Sequence, residues 1–200
     1  MIAPLKIEKH FQYGNKKLPS TTAIFNCGTA TECPSLKRGL CQAGGDCYAM
    51  KAEKQYPACR PYWERQRAIM DTASAGDIAS ALVSANKRKR NKVQKFRFNE
   101  AGDFETQADV QKMADICGQL RTEKIQSYGY TARTDLDLTP LTDTATVNVS
   151  NDGNGWIDKG CNRFKMVQEH TQGATRCAGD CRQCQLCSSM KGLEIEVLAH

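Results

Sequence analysis

Residues 95–130 read KFRFNEAGDFETQADVQKMADICGQLRTEKIQSYGY, and this stretch sets the fold class. Lys95 to Asn99 alternates as a strand does, sending Phe96 and Phe98 to one face and Arg97 and Asn99 to the other. From Thr106 to Arg121 the apolar residues Val110, Met113, Ala114 and Cys117 recur at helical spacing. Ile125 to Tyr130 is the next strand. A strand, a helix and a second strand in so short a span form a parallel pair joined by a right-handed crossover. Outward from it, Thr22–Asn26 (TAIFN) and Thr144–Val149 (TATVNV) add strands. Tyr62 to Arg90 is helical, with Pro61 in the first turn; Gly76 and Asp77 divide it, Asp77 capping the second half. The class is α/β with a parallel sheet. At 200 residues the chain is short of the about 250 of a complete eight-stranded barrel. The expected architecture is a partial or shortened (β/α) barrel in one domain, 1–200.

Hydrophobic residues make up 40% and charged residues 25%, an ordinary globular composition. No run of 18 apolar residues is present, so no membrane-spanning segment is expected. Met1 to His10 carries Lys6, Glu8 and Lys9 without an apolar stretch, so no secretory leader is expected. Twenty-eight basic against 22 acidic residues give a net charge of +6, compatible with nucleic acid without requiring it. There is no phosphate-binding P-loop, no G-x-G-x-x-G and no G-x-S-x-G. His10, His170 and His200 stand apart, which argues against a catalytic triad or a histidine-built metal site.

Cysteine is the outlier, at eleven residues. An odd number without a leader fits a disulfide framework poorly and points to metal in a reducing compartment. Cys177, Cys181, Cys184 and Cys187 form C-x3-C-x2-C-x2-C at 177–187. Zinc sites usually separate two C-x2-C pairs by a long spacer. The compact run here resembles that of iron–sulfur clusters, whose successive thiolates reach different irons. Zinc remains the competing reading. In the loop 27–60, Cys27, Cys33, Cys41 and Cys47 are more widely spaced, and Gly44 and Gly45 let the backbone turn around a bulky group. Three or four of these thiols can hold a second cluster. Cys59, Cys117 and Cys161 read as buried apolar residues.

Ligands of parallel sheets lie beyond the C-terminal strand ends. Three such ends, within 95–155, carry polar residues. After Phe98 come Glu100 and Asp103, carboxylates able to accept from an ammonium group; Asp103 reads equally well as a helix cap. After Tyr130 comes Arg133, suited to grip a carboxylate bidentately or to start a helix on the surface. After Val149 come Ser150 and Asn151, able to bond ribose hydroxyls, although Asn-Asp-Gly is also ordinary turn chemistry. Two further stretches mix cations with rings or run as pure charge: KAEKQYPACRPYWERQR (51–67) and NKRKRNK (86–92). Stacked bases and bound phosphates are one reading; buried rings and a solvated helix end are the plainer one.

CPSLKRGLCQAGGDCYAMKAEKQYP (33–57), RFNEAGDF (97–104), SYGYTARTDLDL (127–138) and CAGDCRQCQLC (177–187) together resemble the gene-product-88 family of phage proteins, over about Phe25 to Cys187. That family is similar to radical S-adenosylmethionine enzymes. The resemblance implies a shortened radical-SAM-like barrel with 4Fe–4S clusters in cysteine-rich loops near both ends. It implies Cys33, Cys41 and Cys47 as ligands of a cluster with one open iron, where S-adenosylmethionine binds, and Cys27 as optional. It implies a closed second cluster on the C-terminal four cysteines, and Glu100 near the ligand's amino group. The cysteine spacing is wider than in those enzymes, and Tyr48 follows Cys47 rather than preceding it. The expected function is a radical-SAM-like enzyme in the cytoplasm of an infected host cell, served by a reductase or other electron donor. A non-catalytic iron–sulfur electron carrier, a nucleic-acid-binding regulator and a zinc module are the alternatives.

Overall fold

A computed structural model describes residues 6–41, 43–150, 156 and 159–198. In chain order the strands are β1 (Gln12–Tyr13), β2 (Thr22–Phe25), β3 (Lys95–Phe98), β4 (Gln126–Thr131), β5 (Ala145–Ser150), β6 (Asn162–Val167), β7 (Thr175–Arg176) and β8 (Glu194–Leu198). The helices are α1 (Pro34–Lys37), α2 (Tyr48–Gln55), α3 (Cys59–Thr72), α4 (Ala75–Lys87), α5 (Gln107–Thr122), α6 (Thr139–Thr142) and α7 (Leu186–Ser189). The strands form one eight-stranded sheet in the order β1-β2-β3-β4-β5-β6-β8-β7, and it is not closed. Every pairing is parallel except β1 with β2.

From β2 to β6 the strand order follows the chain without reversing, and only at the far edge does β8 come between β6 and β7. Right-handed crossovers therefore fall on one face, unlike a doubly wound sheet, whose order reverses and whose helices cover both faces. The buried side chains agree. Ala23, Phe25, Phe96, Phe98, Val147 and Val149 of the strands share one core with Ile69 and Met70 of α3, Ile78 and Leu82 of α4, and Val110, Met113, Ile116 and Leu120 of α5. Val110, Met113, Ala114 and Cys117 are all buried, as their spacing predicts.

Parallel register assigns the opposite face to Ile24, Lys95, Arg97, Tyr128, Tyr130, Asn148, Asn162 and Phe164. This face is polar and aromatic, and the C-terminal segment covers it. Asn148 and Asn162, paired across β5 and β6 and fully buried, supply the attachment. Asn148 Nδ2 donates to the Cys187 carbonyl at 2.8 Å and Asn162 Nδ2 to the Met190 carbonyl at 2.8 Å, while Asn162 Oδ1 accepts from Leu193 N–H at 3.0 Å. Buried amides of this kind are costly unless paired, so they fix where residues 187–193 lie.

The structure corrects two readings of local sequence. α4 is capped by Ser74, and Asp77 is its capping-box partner three residues on rather than the cap. Strands β1, β6, β7 and β8 are found only in the structure, although Arg163–Met166 (RFKM) and Glu194–Val197 (EIEV) alternate charged and apolar residues as strands do. Asn151 lies outside the described residues.

Gly129 tests the packing between β3 and β4. A Cβ there would stand 2.1 Å from Phe98 Cδ2. Gly129→Ala is expected to cost about 1–3 kcal/mol through overpacking, read as a lower urea midpoint with an unchanged slope; an unchanged midpoint would show that the Phe98 ring has room to move.

Candidate metal centre

The loop after β2 rises from the C-terminal strand edge and carries Cys33, Cys41 and Cys47. Cys33 and Cys47 are placed alike. Each precedes a helix, α1 and α2 respectively, with φ/ψ of −56/121° and −58/114°. Each carbonyl accepts the first helical hydrogen bond, from Lys37 N–H and Lys51 N–H, both at 3.1 Å. The Cys33 sulfur accepts from the N–H groups of Leu36 and Ser35, and the Cys41 sulfur from Ala43 N–H. Burial still dominates: it pushes the Cys33 thiol up to about 11 and raises that of Cys41. Cys33 and Cys41 lie within electrostatic reach of one another, as do Cys41 and Cys47.

Cys27 is on the other side of the sheet. It is 1% exposed and packs in the core with Phe25, Ile69 and Cys117. Burial, and then Asp109, holds its thiol well above the usual range. Cys117 and Cys161 are likewise fully buried in that core. Cys59 opens α3 and packs against a small cluster around Trp63.

The C-terminal cysteines lie over the opposite face, where the short α7 packs on β4 and β5. Cys177 N–H donates to the Glu196 carbonyl at 2.7 Å, and Cys184 N–H to the Asp180 carbonyl at 3.0 Å. Cys187 is within electrostatic reach of Cys177, Cys181 and Cys184. Burial pushes its thiol up to about 11, opposed by the Tyr130 O–H that donates to its sulfur. Burial also raises Cys181, opposed by the Arg97 cation.

Arg97 reaches the tyrosine beside the first group and lies within electrostatic reach of Cys181 in the second. Its Nη2 donates to the Tyr48 hydroxyl at 3.3 Å, its Nη1 lies 3.6 Å from Glu100 Oε1, and its guanidinium sits 5.1 Å from the centre of the Tyr130 ring. Its Nε is buried without a partner. Tyr48 follows Cys47, and its hydroxyl also donates to the Glu100 carbonyl. Glu100, at the end of β3, accepts from Asn15 Nδ2 at 2.5 Å. Its backbone N–H is held by Asn26 Oδ1 at 2.7 Å.

Asp103 is buried and accepts from Ser35 Oγ (2.6 Å), Thr131 Oγ1 (2.7 Å), Phe104 N–H and Ala132 N–H (both 2.8 Å) and Asn99 Nδ2 (3.2 Å). It ties the first cysteine loop to the ends of β3 and β4. Arg133, 1% exposed, makes two hydrogen bonds to Asp135, at 2.7 and 2.9 Å, and donates to the carbonyls of Phe104 and Glu105. Asp103 and Arg133 therefore brace the loops. Ser150 ends β5 on the same face as Tyr130 and Asn148.

A gene product 88 family model matches residues 4–154, three quarters of the chain. The chain belongs to the gene product 88 family. The family match ends before Cys177, so the C-terminal cysteine group lies outside it. No curated protein and no solved structure matches the chain.

Among the described residues, no three Cys, His, Asp or Glu side chains stand close enough together to ligate one ion as placed. The donor chemistry nonetheless suits a thiolate-bound centre. Both groups offer sulfur alone, gathered within mutual electrostatic reach, with N–H or O–H donors on Cys33, Cys41 and Cys187. Binding would have to displace thiol protons and draw the loops inward.

Sequence reading overlooked Arg97, Tyr130, Asn26, Asn148 and Asn162 as site-forming residues. The one available signal was Arg97 alternating with two phenylalanines.

The raised thiols carry a stability consequence. Cys33 and Cys187 titrate near 11 when folded, against an ordinary 9.0. Above pH 9 the unfolded chain loses these protons first, so their contribution is complete below 9 and is lost as pH rises toward 11. Urea midpoints of reduced, chelator-treated protein should fall between pH 9 and pH 10; constancy across that window would refute the burial of these thiols. Asp103→Asn removes a charged acceptor from five donors and should cost about 2 kcal/mol or more, with faster proteolysis of the 33–47 loop as the readout. Wild-type stability and cleavage would mean that Asp103 does not hold the loop.

Proposed function

We propose that this chain is a phage iron–sulfur protein with radical-SAM-like chemistry, acting in the cytoplasm of an infected host cell. In this reading its open sheet is a partial (β/α) barrel. Cys33, Cys41 and Cys47 hold one 4Fe–4S cluster with an iron left for S-adenosylmethionine, and Cys177, Cys181, Cys184 and Cys187 close a second. The supporting observation is the convergence on Arg97. Cys47 and Cys177 are 130 residues apart in sequence, yet Arg97 touches the tyrosine beside one group and offsets burial at Cys181 in the other.

Cys33, Cys41 and Cys47 would hold the N-terminal cluster, and the chemistry it would supply when bound is one-electron reduction of the sulfonium ligand. The chain's own residues bind and orient that ligand. Glu100, aimed by Asn15 and Arg97, accepts its ammonium group. Ser150 offers a hydroxyl to the ribose from the end of β5. Asp103 and Arg133 act indirectly, by holding the loops. The Tyr128 and Tyr130 rings keep the face dry. A reductase or other electron donor is the required partner.

One observation favours a second reading, a non-catalytic electron carrier. The Arg133 guanidinium is engaged by Asp135 and two backbone carbonyls, so it is not open to a ligand carboxylate.

Anaerobic purification, metal and sulfide analysis, and incubation with dithionite and S-adenosylmethionine test both readings. The expected protein is brown, absorbs near ~400 nm and forms 5′-deoxyadenosine. Cys177→Ala/Cys184→Ala should lose about half the iron and lower the melting temperature, whereas Cys27→Ala should keep the iron. Iron without 5′-deoxyadenosine selects the electron carrier. A colourless protein with stoichiometric zinc defeats both.

A further inference from the structure

The two basic stretches noted in the sequence meet in the fold, away from the cysteines. Arg65 of α3 lies over the ring of Tyr62, 6.0 Å from its centre. Lys89, just past the end of α4, lies over the ring of Tyr13 at 3.3 Å. The Arg88 charge is felt at the Tyr13 hydroxyl, and the Tyr62 hydroxyl feels both Tyr13 and Arg65. Residues from β1, α3 and the end of α4 thus form one surface, on which aromatic rings carry cations.

These cations have no carboxylate partner. Among the described residues, Arg65, Arg88, Lys89 and Arg90 make no salt bridge, whereas Lys37, Lys51, Arg60, Arg67, Arg133 and Lys165 each do. Nor does the end of α4 need them. Lys92 folds back and donates to the carbonyls of Asn86 (3.2 Å) and Lys87 (2.9 Å), which satisfies the helix terminus. The turn Ile7–His10 packs on α3 and α4 and brings the His10 ring within 6.0 Å of the Tyr62 ring, where burial and then the Arg65 charge hold its pKa below the usual range.

We propose that Arg65, Arg88, Lys89 and Arg90 form a binding surface for the phosphodiester backbone of a nucleic acid. Tyr13 and Tyr62 hold two of the cations in place, which lowers the ordering cost of each contact. The contacts go to phosphate, so binding is salt-dependent and independent of sequence. The surface does not depend on the cysteines carrying metal.

The test is fluorescence anisotropy with a labelled single-stranded DNA of about 20 nucleotides and mixed sequence. Four neutralised phosphates predict a log–log salt slope of about −2.8, or about 50-fold weaker binding between 50 and 200 mM salt. Arg88→Glu/Arg90→Glu should weaken binding at least about tenfold and flatten that slope. Arg121→Glu/Lys124→Glu, an equal change of net charge at the end of α5, should leave both near wild type. If the Glu pair on α4 does not fold by circular dichroism, Arg88→Gln/Arg90→Gln should still flatten the slope. Absence of binding at the lower salt, or equal losses in the α4 and α5 variants, would overturn the proposal.

Discussion

The Asp103 carboxylate is where the site is held together. It is buried and accepts five hydrogen bonds, from the first cysteine loop, the β3 end and the β4 end. Burial raises its pKa, and the donors from Ser35, Ala132, Thr131 and Phe104 act against that rise. Without this acceptor, Ser35 would leave the strand ends and the loop of Cys33, Cys41 and Cys47 would lose its anchor. A comparable fastening acts at the other cysteine group, where Asn148 and Asn162 take hold of the Cys187 and Met190 carbonyls. Both cysteine segments are thus attached by polar contacts to strands whose opposite face packs on the helices.

The winding of the sheet explains why such contacts are needed. A strand order that follows the chain from β2 to β6 puts α3, α4 and α5 on one face and leaves the other to the C-terminal segment with its short α7. That face carries Lys95, Arg97, Tyr128, Tyr130 and buried amides instead of an aliphatic layer. Cysteines divide accordingly. Cys27, Cys117 and Cys161 belong to the apolar core as small side chains, while the loop cysteines lie at the strand ends or over the polar face, near N–H and O–H donors. One residue type plays two roles, separated by the plane of the sheet.

The parallel centre of the fold was legible in the sequence because its strands alternate and α5 has a clean apolar stripe. β6 and β8 were missed although Arg163, Lys165, Glu194 and Glu196 alternate with apolar residues there; these charges pair with one another or with the loop before Cys177. The cap of α4 was assigned to Asp77 because Ser74 and Asp77 both fit a first turn, and only geometry separates cap from box partner. The cysteine groups could be read from spacing, but not their meeting at Arg97, since no local pattern encodes which loops share a sheet face. For Asp103 and Arg133 the sequence left a ligand role and a local structural role open, because a charged side chain at a strand end reads the same whether it faces a ligand or braces a loop.

Electron paramagnetic resonance of the anaerobically reduced protein tests most directly whether two thiol-bound centres face one another across Arg97. Two reduced clusters so placed should couple, giving a spectrum broadened beyond the sum of two isolated centres. Removing the C-terminal centre with Cys181→Ala/Cys187→Ala should restore a sharp single-cluster signal. A wild-type spectrum that is the simple sum of independent signals, or an iron-free protein, would contradict the account.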